Sequence, residues 1–181
     1  DWYQFQKLYA ELLRTGSIHS MKDIWWDLRP SPGYGTLELR MCDGPATLRE
    51  LEAIVAFAHA QALLFQEEQD SFTGTSAKPP KRWIARENKW RALRYGLDAQ
   101  IIDHHTLEQR ALRTDILDRL ERMAPLGRSL GYEAQFACLR DICAQGSSAE
   151  RQRRVYEQRG SMEDVLAHNA QECLRQEPIW S

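Results

Sequence analysis

No stretch of this 181-residue sequence stays apolar for long enough to span a bilayer, and its opening lacks the basic start and apolar run of a signal segment. A soluble protein of the cytoplasm is therefore expected, with no membrane partner. An excess of charge of one sign is missing too: 24 basic residues against 26 acidic ones leave a net charge of −2. Without a global basic field, nucleic acid is not an expected partner. Cysteine is sparse, and Cys42, Cys138, Cys143 and Cys173 show neither CxxC spacing, nor a regular disulfide framework, nor a histidine at zinc-ligand spacing. They read as reduced thiols, mostly in packed helices. There is no internal repeat and no initiator methionine. The chain opens inside a helical pattern, with Trp2, Phe5, Leu8, Tyr9, Leu12 and Leu13 as a core stripe and Gly16 as its end, and such a start reads as that of a fragment.

Apolar residues make up 43% of the chain, enough to bury a core at this length. Most of it has helical periodicity; the exception is DIWWDLRPSPGYGTLELRMCDGPATL, residues 23–48. One arm, 23–28, is aromatic and β-branched, and the other, 36–41, alternates strictly. Pro30, Pro32, Gly33 and Gly35 between them are expected to continue neither strand. A hairpin over 23–42 follows. Alternation places Trp25, Asp27, Arg29, Thr36, Glu38 and Arg40 on one charged face, and Ile24, Trp26, Leu28, Leu37, Leu39 and Met41 on a face expected to be core. Pairing the arms sets Asp27 opposite Glu38, like charges that need a cation or the neighbouring arginines. Two readings stand. One is a solvated face of ion pairs, Asp27 with Arg29 or Arg40 and Glu38 with the other, adding little stability. The other is a site, because carboxylates beside guanidinium groups on a rigid sheet suit magnesium and phosphate oxygens together.

Downstream, Asp43, Gly44 and Pro45 form a turn, and Thr47 with Glu50 makes a capping box for a helix to about residue 67. Its stripe of Leu48, Leu51, Val55, Ala58, Ala62 and Phe65 is expected to pack on the apolar face of the hairpin. His59 in this helix reads as structural or exposed. The polar segment 70–81 reads as a flexible linker, or as a lid over nucleotide. It leads into RWIARENKWRALRYGLDAQI, dense in cations and aromatics. There Asn88, Arg91, Arg94 and Tyr95 share a helical stripe that could face the hairpin. His104 and His105 are adjacent and expected to point apart, which disfavours a two-histidine metal site. The remainder is helical: a helix capped by Thr114 or Asp115 and ended by Pro125, another over about 129–144 with Tyr132, Phe136, Leu139, Ile142 and Cys143 inward, one capped by Ser147 and Glu150, and a last one from Met162 to about Arg175.

Three pieces in order, Trp26-Asp27-Leu28-Arg29-Pro30, Gly35-Thr36-Leu37-Glu38-Leu39-Arg40 and Arg94-Tyr95-Gly96-Leu97, resemble the C-terminal half of the YbdK-type carboxylate–amine ligases, the glutamate–cysteine ligase 2 family. That family is glutamine synthetase-like. The resemblance implies an α+β fold, in which the hairpin joins a larger antiparallel sheet backed by helices and a helical C-terminal bundle. On this reading residues 1–181 are the C-terminal portion of one catalytic domain, with 112–181 a helical tail, and the remaining strands come from an N-terminal half of the same protein. The implied activity is ATP-dependent ligation, activating the γ-carboxylate of glutamate as an acyl phosphate for attack by an amine such as that of cysteine. ATP and Mg2+ are the implied cofactors, with Glu38 and, second, Asp27 as metal ligands. Arg29, Arg40 and Arg94 would hold phosphate or carboxylate, Asn88 and Tyr95 would face the ligand, and a homodimer is compatible with it. The competing class is a non-catalytic helical interaction or regulatory module that keeps the hairpin only as structure.

Overall fold

Helix α1, Trp2–Arg14, opens a computed structural model that describes residues 2–70 and 81–180, without the side chains of 68–70. The residues divide into two units, Asp1–Gly44 and Pro45–Ser181. The class is α+β: two antiparallel two-stranded sheets among helices, with a helical C-terminal part.

In the first unit the stripe expected as core in α1 is not one, since no residue of α1 is buried. Its aromatics instead stack along the helix, Trp2 on Phe5 at 5.1 Å and Phe5 on Tyr9 at 6.4 Å, which helical spacing permits without a second layer. The expected first arm over 23–28 is also corrected. Ser20 starts a 3-10 turn, Met21–Asp23, with Asp23 Oδ2 accepting from the His19 and Ser20 amides at 2.8 and 2.9 Å. Strand β1 is Leu28–Ser31 and pairs with β2, Thr36–Leu39, in the register Leu28↔Leu39, Arg29↔Glu38, Pro30↔Leu37 and Ser31↔Thr36. Pro30 therefore lies inside a strand, which a two-stranded ribbon tolerates because each strand has an edge free of the ladder. The turn Pro32–Tyr34 with Gly35 at φ +62° sets this register. As a result Arg29, not Asp27, stands opposite Glu38, and Asp27 meets Arg40, whose amide donates to the Asp27 carbonyl at 2.8 Å. The two faces divide as alternation requires, but Leu28, Leu37, Leu39 and Met41, expected to be core, are 41–59% exposed. Two strands alone supply no second layer to cover them.

In the second unit α2, Leu48–Asp70, runs past the expected end and buries the face opposite to the expected one. Ala53, Ala56 and Ala60 are inside, while Leu48, Leu51, Val55 and Phe65 are exposed. Small residues let α2 lie close to α4, Leu112–Leu130, and α5, Glu133–Gln145; Ala56 and Ala60 join Leu120, Met123 and Phe136 in the core. The segment 70–81, read as linker or lid, falls outside the described residues except at its ends. Helix α3, Arg82–Tyr95, is followed by a hairpin that the sequence reading did not contain, β3 (Gln100–Ile102) with β4 (Gln109–Ala111). In its turn Asp103 Oδ1 accepts from the His105 and Thr106 amides, and Leu107 takes φ +63°. The His104 and His105 rings, expected to point apart, lie 3.7 Å between centroids because a turn, unlike a helix or strand, lets neighbours converge. Helix α4 begins at Leu112 rather than at Thr114, and Pro125 lies within it instead of ending it, since buried Met123 and Gly127 on either side hold the helix against its neighbours. Helices α6, Ser148–Arg159, and α7, Met162–Arg175, complete the tail.

Candidate functional site

Antiparallel pairing puts Arg29 and Glu38 side by side on one face of the first hairpin, and strand alternation returns Arg40 to that face two residues later. Arg29 donates through Nε to Glu38 Oε2 at 2.8 Å, with Nη2 2.5 Å from the same oxygen, while its Nη1 donates to the Lys22 carbonyl at 2.8 Å. Arg40 Nη1 donates to the other oxygen, Oε1, at 2.7 Å. The guanidinium of Arg40 also lies over the Trp25 ring, 5.0 Å from its centroid. Both oxygens of one carboxylate are thus held by two different arginines, and the three groups sum to +1. Partial burial works to raise the Glu38 carboxyl, but the hydrogen bonds and charge of Arg29, and then of Arg40, outweigh it and leave Glu38 below the usual carboxylate range.

The two arginines are not equivalent. Arg29 is anchored on both sides, by Glu38 and by a backbone carbonyl. Arg40 spends one bond on Glu38 and keeps further N–H groups of its planar fork for an incoming oxyanion. Spread hydrogen bonds of this kind suit phosphate or carboxylate oxygens.

Of the residues expected to act, the structure brings Arg29, Glu38 and Arg40 together, with Asp27 adjoining Arg40 through the backbone. Arg94, Asn88 and Tyr95 lie on α3 in the second unit. The Asn88 carboxamide is engaged by backbone: Nδ2 donates to the Ile102 carbonyl at 2.9 Å and Oδ1 accepts from the Ile102 amide at 2.7 Å, pinning α3 to β3. Arg91 supports the same contact, donating to the Gln100 carbonyl. Arg94 is exposed and pairs with no described residue. Tyr95 is exposed and meets Trp90 edge-on at 6.0 Å. Among the described residues no group of three or more His, Cys, Asp or Glu is placed to hold a metal ion by itself. Magnesium commonly takes one or two carboxylates and completes its shell with phosphate oxygens and water; at Glu38, Oε2 meets two Arg29 nitrogens and Oε1 accepts one bond from Arg40, so Oε1 is the oxygen with capacity left for a cation. The sequence reading missed the partner that holds Arg40. The signal was present, because Trp25 and Arg40 fall on the same face by alternation.

The chain matches the model of glutamate–cysteine ligase family 2 over residues 1–168. Relatives provisionally named glutamate–cysteine ligase 2 are 40% identical over 166 residues in Bdellovibrio bacteriovorus, 38% over 165 residues in Thermobifida fusca and 41% over 157 residues in Mycobacterium tuberculosis. These alignments cover 92%, 91% and 87% of this chain and 43%, 41% and 41% of the respective relatives. The chain therefore spans about two-fifths of the length of the curated relatives it matches. No helix among the described residues is long and apolar enough to cross a membrane. On a match that runs through both units and keeps its identity over nine-tenths of the sequence, the chain belongs to glutamate–cysteine ligase family 2.

Proposed function

We propose that this chain carries the anion-handling part of an ATP-dependent carboxylate–amine ligase that joins the γ-carboxylate of glutamate to an amine such as that of cysteine. The observation that supports it most is the Arg29–Glu38–Arg40 arrangement, one carboxylate aimed between two cations on a rigid ribbon. In the proposed chemistry a carboxylate oxygen of glutamate attacks the terminal phosphorus of ATP, ADP leaves, and the amine then displaces phosphate from the acyl phosphate. Magnesium, when bound, neutralises triphosphate oxygens and would take Glu38, with Asp27 as the second candidate ligand. Arg29 keeps Glu38 oriented from its backbone anchor. Arg40 turns its remaining N–H groups to a phosphoryl or carboxylate oxygen, where charge grows in the transition state. Arg94 is the third proposed cation, Tyr95 a proposed ligand-facing group, and Asn88 acts by fixing the helix that carries both. The part of the family's length that this chain does not cover would supply the remaining strands and ligands.

The test is ADP release by the protein encoded by the complete gene, with Mg2+, ATP, glutamate and a panel of amines. Glu38→Gln keeps the shape and removes the charge; turnover is expected to fall at least about a hundredfold, close to 3 kcal/mol of transition-state stabilisation. Normal turnover in this variant removes Glu38 from the metal role. A wild-type protein without amine-dependent turnover for any acceptor favours the non-catalytic interaction module.

A further inference from the structure

We propose that Trp25 is a positioning residue, a fixed seat that holds the Arg40 guanidinium ready for the anion before it arrives. The indole is 82% exposed, so it adds little to the fold through burial, although a tryptophan is among the costliest side chains to leave in water. What it does contact is Arg40, whose guanidinium carbon lies over the ring, 5.0 Å from its centroid. The rest of Arg40 is fixed as well. Its amide is tied to the Asp27 carbonyl at 2.8 Å and its Nη1 to Glu38 Oε1 at 2.7 Å, and the ring adds a third contact to the same residue. A guanidinium held over an aromatic face has one side covered by the ring and keeps N–H groups at its edges for hydrogen bonds to an oxyanion.

The seat leaves the Glu38 bond in place: with one N–H group on Glu38 and one side against the ring, Arg40 meets the anion through the N–H groups that remain. Ordering the side chain in the free protein lowers what binding must do, and the anion orders Arg40 in the bound state whether the ring is there or not. The effect therefore falls on affinity and not on the chemical step. The identity of the anion rests on the ligase reading; the seat itself does not.

Two substitutions of the exposed ring separate its π face from its bulk. Trp25→Phe keeps an aromatic face and Trp25→Leu removes it. In the protein from the complete gene, Trp25→Leu is expected to raise KM for ATP about fivefold with kcat unchanged, and Trp25→Phe to stay within about 1.5-fold of wild type. Equal behaviour of Leu and Phe, or a fall in kcat at constant KM, overturns the proposal. A second arm needs no turnover. The chain has six tryptophans, so the emission of wild type minus that of Trp25→Phe isolates Trp25. That difference is expected to change when Arg40→Gln is introduced without ligand, and to respond to inorganic pyrophosphate only when Arg40 is present. If Trp25 emission is indifferent to Arg40→Gln, the seat does not exist, whatever the enzyme assay shows. If wild type has no turnover but the emission arm holds, the ligase reading fails and the Trp25 seat for an anion-binding arginine stands.

Discussion

Arg151 is 1% exposed, yet it is an arginine, and its surroundings show how a buried cation is kept. Its Nε donates to Glu172 Oε1 at 2.5 Å and its Nη2 to Glu50 Oε1 at 2.9 Å, while the Trp180 ring covers its guanidinium at 4.9 Å. Burial alone would lower the Arg151 pKa, but the bonds and charges of Glu172 and Glu50 outweigh that and raise it, so the group stays charged. The contrast with the hairpin is one of stoichiometry and solvent. Here one cation serves two buried acids; there two cations serve one half-exposed acid and leave capacity for a ligand. Arg151→Met would strand two carboxylates away from water. Removing one member of a buried ion cluster costs roughly 3–5 kcal/mol, and urea unfolding of the variant is expected to show a loss of that size. A loss below about 1 kcal/mol would mean that water reaches Glu50 and Glu172. Nothing in the sequence singles out Arg151 from the other arginines of α6, because its partners come from α2 and α7, far away along the chain.

At the scale of elements, α4 and α5 approach closely at Gly127. A Cβ built on Gly127 would stand 2.5 Å from Phe136 Cε2, so the glycine is there for close approach and not for an unusual backbone angle. Gly127→Ala must push the Phe136 ring out of a core it shares with Ala60, Leu120 and Met123. Overpacking of this kind costs about 1–3 kcal/mol, and thermal unfolding is expected to show it, with part of the loss recovered in Gly127→Ala/Phe136→Leu. An unchanged melting temperature would show that the core accommodates the methyl group. The same contact explains which elements the sequence conveys. Helices α6 and α7 begin at their capping residues, Ser147 with Glu150 and Ser161, because caps are local chemistry, whereas α5, which has no side-chain cap, begins at Glu133 and not near 129. Pro125 misleads because the packing of Met123 and Gly127 against other elements overrides a local helix breaker. The alanine face of α2 is missed for the same reason: Leu48, Leu51, Val55 and Phe65 are the larger apolar side chains, but Ala53, Ala56 and Ala60 are the ones that allow helices to approach. Strands β3 and β4 are three residues each, too short to establish an alternation.

For the molecule as a whole, acid should act through carboxylates held by the fold. Glu150 is the clearest in the second unit. Its partial burial works to raise the pKa, but the Ser147 amide and hydroxyl, at 2.8 and 2.9 Å, and the Arg113 guanidinium outweigh it, and the pKa is lowered. A carboxyl with a lower pKa folded than unfolded adds stability above its unfolded value, about 4.3 for glutamate, and loses it as pH falls through the folded value. Unfolding in urea across a pH series is therefore expected to give stability that is level above about pH 5 and declines below it. Glu150→Gln should start lower at neutral pH and decline less steeply in acid; parallel curves would assign the decline to other carboxylates. At this scale the sequence conveyed the α+β class and a first hairpin that carries Arg29, Glu38 and Arg40 on one face. It could not convey their bonding, because a shift of the first strand changes which side chains stand opposite one another, and that shift is fixed by the turn at 32–35.

The C-terminal tail is tied to the start of α2: Gln176 Oε1 accepts from the Leu48 amide, across 128 positions, and Glu177 pairs with Arg49. On a ribosome the chain appears from one end, so α2 emerges long before the residues that cap its first turn and the Glu172 that shares Arg151. At about 5–20 residues per second the wait is roughly 6–26 s, during which Leu48 and Arg49 lack their final partners. The helices of the second unit through α6 can form in that interval, yet residues 172–177 close it, and a nascent chain halted before Glu172 should be cut by a protease that spares one extended past Glu177.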